Sequence, residues 1–147
     1  PQWVTDLCVK LQGQYTSGAS SISQMAALEA ISSDDNIYTL GMNAAFKRRR
    51  DLIIELISDI HGIRTNIPQG AFYVFPDISE FFGRSDGYIN VKNASDLALY
   101  LLNEAHVAVV PGNAFGDPSC IRFSYAISRE KISLAFERIR HALDRLK

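Results

Sequence analysis

Cysteine is scarce in this chain of 147 residues, which contains only Cys8 and Cys120. They form no Cys-x-x-Cys pair, and two cysteines are too few for a disulfide framework, so we expect a reducing, cytoplasmic location. Histidine is also rare. His61, His106 and His141 do not stand at ligand spacing from one another, from a cysteine or from a carboxylate pair, so no metal site is predicted.

The chain has no excess of either charge, since 15 basic and 16 acidic residues give a net charge of −1. This balance argues against a nucleic-acid partner and against a polybasic membrane surface. No apolar run approaches the roughly 20 residues that span a bilayer, and no charged-then-apolar leader opens the chain. An initiator methionine is missing too. Because the first residue is Pro1, we expect the sequence to have been cut or processed upstream.

Helical periodicity dominates the first part of the chain, and short extended runs alternate with helices in the rest. The predicted helices are residues 1–12, 22–32, 34–61, 95–105 and 128–146. Ser128 is the predicted cap of the last helix, and the apolar spacing predicts a core-facing seam along it at Ile132, Phe136, Ile139, Leu143 and Leu146. On helix 95–105 the residues predicted to face inward are Leu97, Ala98, Leu101, Leu102 and Ala105. The predicted strands are residues 63–67, 71–75, 107–110 and 120–126. Gly41 weakens the long helix and favours a break or kink there. The order of elements predicts an α/β (α+β two-layer) fold, with helices packed on one face of a small sheet.

Arg122 is the first candidate for a functional side chain. Side chains alternate between the two faces of a strand, which places the bulky Ile121, Phe123 and Tyr125 together on a core face. Arg122 then shares the other face with small residues that leave room beside its guanidinium. A planar fork of donors on a rigid strand suits bidentate binding of a carboxylate, although an exposed, solvated arginine is the ordinary alternative.

Weaker signals occur elsewhere, each with an ordinary structural alternative. The glycine loop at residues 111–116 could approach a ligand closely or simply connect two strands. The small hydroxyl residues at 16–21 could hold an anion or cap the next helix. The basic residues 47–50 surround a helix, so they indicate a solvated helix that pairs with nearby carboxylates. A Cys120–His106 nucleophile pair would need an activating group that the sequence does not show.

Several segments together resemble the class I aminotransferases of fold type I. In chain order they are Gln12-Gly-Gln-Tyr-Thr-Ser17, Ser23-Gln-Met-Ala-Ala-Leu-Glu-Ala30, Phe46-Lys-Arg-Arg-Arg-Asp51, Pro68-Gln-Gly-Ala-Phe-Tyr-Val-Phe75, Val107-Ala-Val-Val-Pro-Gly112 with Phe115-Gly116, and Ile121-Arg-Phe-Ser-Tyr-Ala126. Each segment is a weak signal, but their shared order and spacing cover nearly the whole chain. The likeness is closest to bacterial aspartate aminotransferases.

The resemblance implies that Arg122 binds the α-carboxylate of an amino-acid substrate, and that the whole protein uses pyridoxal 5′-phosphate to move an amino group to a 2-oxo acid. It implies a homodimer with active sites at the subunit boundary, and aspartate as the expected amino donor. It also implies a division into the end of a large cofactor-binding domain at 1–36, a linking helix at 37–61 and a C-terminal small domain at 62–147.

The sequence departs from the family at its Schiff-base lysine, which occurs in a Ser-x-x-Lys motif. No lysine has that context here: the five are Lys10, Lys47, Lys92, Lys131 and Lys147. We therefore assign no catalytic residue and no cofactor-binding residue to this chain, and expect it to be inactive alone. The alternatives are a related lyase, synthase or regulator of the same fold type, or a stand-alone binding module without catalysis.

Overall fold

A computed structural model describes residues 1–16, 18–32 and 37–147 of the chain; the side chains of residues 37 and 38 are not described. The chain divides into two compact units, Pro1–Leu40 and Gly41–Lys147. Within the described residues, no helix combines the length and apolarity needed to cross a bilayer.

The first unit contains helix α1, Gln2–Tyr15, and helix α2, Ser21–Ser32. Neither helix has a buried residue. The predicted loop at 13–21 is shorter than expected because α1 continues through Gly13 to Tyr15, where the Thr16 hydroxyl donates to the carbonyl oxygen of Gln12. The predicted start of the next helix at Asp34 and Asp35 lies outside the described residues.

Helix α3, Ile37–Ser58, continues through Gly41, so the helix is not broken there. Nothing lies within 4 Å of a Cβ built on Gly41, so this glycine serves no close approach. Its helix penalty of about 1 kcal/mol is small for a helix of 22 residues. The helix ends at Ser58, earlier than the predicted His61, and a turn follows in which Gly62 has φ +93°.

The sheet has three short strands: β1, Tyr73–Val74; β2, Val110–Pro111; and β3, Ile121–Ser124. Their order is β1-β3-β2 and both pairings are antiparallel. The predicted strand at 63–67 is wrong, because that segment forms only the single bridge between Arg64 and Asp77. The predicted strand at 107–110 keeps only its last residue, where β2 begins.

The last two helices lie close to their predicted positions. Helix α4, Ala94–Tyr100, starts at Asn93, whose side-chain oxygen accepts the N–H of Asp96, and it continues as a wider π turn, Leu101–Ala105. Leu102 is exposed rather than inward-facing as predicted, because it falls in this wider turn. Helix α5, Arg129–Leu143, is capped by the Ser128 side chain as predicted.

The core of the second unit lies between the sheet and its helices. On β3 and directly after it, Ile121, Phe123 and Tyr125 are all buried, as the alternation predicted. The seam of α5 is buried along its length, and Phe136 packs against Phe123 with ring centroids 5.3 Å apart. The predicted fold class, helices on one small sheet, is therefore confirmed.

The Tyr100 hydroxyl joins α4 to α5, because it donates to the carbonyl oxygen of Ala142 at 2.9 Å from a fully buried side chain. A Tyr100→Phe variant should lower the free energy of unfolding by about 1 kcal/mol, the net contribution of a buried hydrogen bond. Urea unfolding of the whole protein would measure it. Tyr88→Phe is the control, since Tyr88 is 96% exposed; equal losses in both variants would contradict the role of this bond.

Candidate functional site

Arg122 lies on the central strand of the sheet and faces away from the core. It pairs with Val110 of β2, while its neighbour Ser124 pairs with Tyr73 of β1. The side chains on either side along β3 are buried, but Arg122 is only half-buried. Cys120 directly precedes β3 and is buried.

Two aromatic rings contact the guanidinium of Arg122. Its Cζ atom lies 4.6 Å from the ring centroid of Phe115 and 5.4 Å from that of Tyr73. We call Tyr73 and Phe115 the aromatic pair. Stacking on a ring uses the flat face of a guanidinium and leaves the N–H groups at its edge available for an acceptor in its plane.

Each ring of the aromatic pair is supported by another aromatic side chain. The ring of Phe115 meets Phe75 edge-on at 6.0 Å, and that of Tyr73 meets Phe72 edge-on at 5.7 Å. Edge-to-face contacts of this kind contribute roughly 0.5–1.5 kcal/mol of stabilisation in addition to that from burial of the rings. The guanidinium is thus bordered by side chains that hold one another in place.

The charge of Arg122 is uncompensated within the part of the chain that the structure describes, where no carboxylate lies within ion-pair distance of its guanidinium. Some of the other arginines bond a carboxylate, namely Arg50, Arg64, Arg84 and Arg145. A ligand that covered Arg122 would remove its guanidinium from water, and this is costly unless the ligand supplies a negative charge. The arrangement therefore suits an anionic ligand with two coplanar oxygens.

The glycine loop after β2 positions Phe115. The short 3₁₀ helix Gly112–Phe115 ends at Gly116, which has φ +87°. The Gly112 N–H donates to the Cys120 carbonyl at 2.8 Å, and the Gly112 carbonyl accepts the Asp117 N–H at 3.2 Å. A Cβ on Gly112 would overlap the carbonyl oxygens of both residues. The close backbone approach at Gly112 is therefore made to Asp117 and Cys120 of the same chain.

The alternative nucleophile, Cys120 with His106, is not supported. Burial, together with a hydrogen bond to Asp117, raises the pKa of the Cys120 thiol to about 11. A thiol that stays protonated at neutral pH is a poor nucleophile. His106 is exposed and closes the π turn in a left-handed conformation with φ +54°.

The remaining candidates have structural roles where the structure describes them. Lys47 and Arg50 both pair with Asp51, which agrees with the predicted solvated helix. Of the hydroxyl residues at 16–21, Ser17 lies outside the described residues. Among the residues with described positions, no group of three or more histidine, cysteine, aspartate or glutamate side chains could hold a metal ion.

The aromatic pair is the part of the site that the sequence pattern did not reveal. Tyr73 occupies a predicted strand, where an aromatic residue also fits a core position, and Phe115 was placed in a loop. A signal was present in the alternation of residues 71–75, because a buried Val74 leaves Tyr73 on the opposite face. No local pattern links Phe115 to a strand residue seven positions away.

Comparison with known proteins identifies the family. Residues 1–139 match the family model for aminotransferase class I and II. The chain is 43% identical over 152 aligned positions to a bifunctional aspartate aminotransferase and glutamate/aspartate-prephenate aminotransferase of Petunia hybrida, an alignment that covers 100% of this chain and 31% of that protein. The chain therefore belongs to the class I and II aminotransferase family.

Solved structures of aspartate aminotransferases share the fold. The enzyme from Rhizobium meliloti superposes with a TM-score of 0.85 at 38% identity, covering 100% of this chain and 37% of that one. The enzyme from Thermus thermophilus with maleate superposes with a TM-score of 0.78 at 32% identity, covering 97% of this chain and 35% of that one. The chain thus spans about a third of the length of these relatives.

Proposed function

We propose that this chain is the C-terminal, substrate-binding part of an aminotransferase that moves an amino group from an amino acid, aspartate foremost, to a 2-oxo acid. The observation that carries the proposal is the half-buried Arg122 guanidinium, stacked against Tyr73 and Phe115 and without a carboxylate partner among the described residues. An amino acid and a 2-oxo acid both offer the planar carboxylate that such a fork binds.

Arg122 has a binding and orienting role in this proposal. Two parallel N–H···O bonds to the α-carboxylate fix the plane of the substrate as well as its position. The rings of Tyr73 and Phe115 lie 5.4 and 4.6 Å from the guanidinium carbon and attract its positive charge, which helps to hold the guanidinium in place. Holding a substrate in one orientation is itself a large part of catalysis, because it removes the entropic cost of alignment from the reaction step.

The cofactor implied by the family is pyridoxal 5′-phosphate, which supplies an electron sink when it is bound. The residues of this chain do not fit its covalent attachment. All five lysines are exposed, whereas a lysine that forms a Schiff base is activated by a desolvated or cationic environment. We therefore propose that residues outside this chain attach the cofactor, and that Arg122 binds the carboxylate of the substrate.

The wider assignments of the proposal follow the family. Residues 1–36 end the large domain, 37–61 link the domains and 62–147 form the small domain of a cytoplasmic homodimer. Maleate, the ligand in the Thermus thermophilus aspartate aminotransferase structure, has two carboxylates. It therefore supports a dicarboxylic substrate for this protein.

The whole protein, supplied with pyridoxal 5′-phosphate, should convert aspartate and 2-oxoglutarate into oxaloacetate and glutamate. Product analysis by chromatography would measure both products in equal amounts. Release of ammonia and fumarate from aspartate, without formation of glutamate, would indicate a lyase and overturn the proposal. The absence of any turnover, with aspartate or other amino acids, would favour the stand-alone binding module.

A further inference from the structure

Tyr125 lies on the face of the sheet opposite to Arg122, just after the end of β3. Its side chain is buried, and its ring meets that of Phe46 at 6.2 Å in an edge-on contact. Because Tyr125 and Arg122 are three positions apart along an extended segment, their side chains point to opposite sides. Tyr125 can therefore affect a ligand of Arg122 only indirectly, through the residues to which Tyr125 is hydrogen-bonded.

Tyr125 holds the segment that leads into β1. Its hydroxyl lies 3.1 Å from the carbonyl oxygen of Ala71 and 3.4 Å from that of Gly70, and its backbone N–H donates to the carbonyl of Phe72 at 2.8 Å. Three successive carbonyl groups thus face one residue. Burial raises the pKa of Tyr125, so its hydroxyl keeps the proton that it donates.

The segment held in this way has an unfavourable backbone conformation. Ala71 has φ +64°, in the left-handed region that costs free energy for any residue with a Cβ. Such a conformation persists where its surroundings fix it, and it is often found beside functional sites. The Tyr125 hydroxyl bonds the carbonyl of Ala71 itself, so it acts where the backbone is strained.

The strained turn determines the position of Tyr73. Tyr73 follows Ala71 by two residues, pairs with Ser124, and has its ring centroid 5.4 Å from the Arg122 guanidinium. Phe72 lies between them, and its ring meets that of Tyr73 at 5.7 Å. A change at Ala71 would therefore alter the direction in which the chain enters β1.

We propose that Tyr125 is a positioning residue of the carboxylate site: its hydroxyl fixes the turn at Gly70 and Ala71, and that turn places Tyr73 against Arg122. This inference rests on the proposed function, because it treats Arg122 as the group that binds the substrate carboxylate. Tyr125 itself touches no substrate in this arrangement.

A Tyr125→Phe variant of the whole protein tests the inference, since it keeps the ring and its contact with Phe46 while removing the hydroxyl. The Kd for maleate, measured by calorimetry, should rise by about three- to tenfold, the equivalent of one lost hydrogen bond. The KM for aspartate should rise with it, whereas kcat should change less, because the loss lies in carboxylate binding.

Tyr100→Phe is the matched control. It also removes a buried tyrosine hydroxyl from a backbone carbonyl, that of Ala142, but no contact of Tyr100 involves Arg122 or the aromatic pair. We expect it to lower stability and leave the Kd for maleate within twofold of the unmodified protein. Ala71→Gly added to Tyr125→Phe should recover most of the lost affinity, because glycine adopts φ +64° without strain.

A Tyr125→Phe protein whose maleate Kd stays within twofold, or shifts no more than that of Tyr100→Phe, would overturn the inference. So would a failure of Ala71→Gly to recover affinity. A protein that transfers no amino group but binds maleate refutes the proposed function alone, and the variants' Kd values then still decide the role of Tyr125. Absence of maleate binding in the unmodified protein would overturn both.

Discussion

An Arg122→Ala variant of the whole protein should lose about 30-fold or more of its kcat/KM for amino-acid substrates. Removal of one partner from a desolvated charge pair costs roughly 2–5 kcal/mol, and each 1.36 kcal/mol corresponds to a factor of ten in rate. The loss should extend to every amino-acid substrate, because all of them carry the α-carboxylate. Steady-state kinetics with aspartate as the varied substrate would measure it.

Two further variants separate the role of Arg122 from a general effect of losing an arginine. Arg122→Lys keeps the charge but not the planar fork, so we expect an intermediate loss of kcat/KM. Arg84→Ala removes a guanidinium that also stacks on a ring, that of Phe81 at 4.8 Å, but already bonds Glu80. If Arg84→Ala lowered kcat/KM as much as Arg122→Ala does, the assignment of Arg122 to the substrate would be refuted.

A Gly112→Ala variant should be among the most destabilising single substitutions in the chain, with a loss of about 3 kcal/mol or more in the free energy of unfolding. The added methyl group would overlap the carbonyl oxygens of Asp117 and Cys120. These atoms belong to the backbone, so no side-chain rotation relieves the overlap. Because the same backbone carries Phe115, the affinity for maleate should fall as well.

Gly116→Ala is the comparison within the same loop. Gly116 has φ +87°, but nothing lies within 4 Å of a Cβ built on it. Its substitution therefore adds only the left-handed strain, about 1–2 kcal/mol. Thermal or urea unfolding of the two variants should show a lower stability for Gly112→Ala than for Gly116→Ala. The reverse order would show that the backbone moves enough to relieve the overlap at Gly112.

Much of the fold follows from local patterns in the sequence. The seam of α5, its Ser128 cap and the buried alternation of Ile121 and Phe123 were predicted correctly, because each depends on residues close together in the chain. The strand at 63–67 was wrong, since pairing depends on a partner that the pattern does not specify. Leu102 was misplaced because a wider helical turn has no local sequence signal.

The candidate site was predictable only in part. The strand pattern placed Arg122 opposite the core, and the family resemblance gave it a carboxylate ligand, which remains a prediction. The aromatic pair was missed because Tyr73 and Phe115 reach Arg122 from separate segments. Contacts of this kind arise from how β1 and the loop after β2 fold onto β3, which no periodicity within one segment records.

Because β3 is the central strand, the number of residues in the loop before it determines which side chains of β3 face the core. A strand side chain changes face with every residue, so one inserted residue taken up by β3 would turn Arg122 inward and Ile121 outward. Because β3 pairs with β1 on one edge and with β2 on the other, a shift of β3 by one residue would disrupt the backbone hydrogen bonds to both strands. Evolution of this protein should therefore vary the residues between Gly116 and Cys120 by substitution while conserving their number.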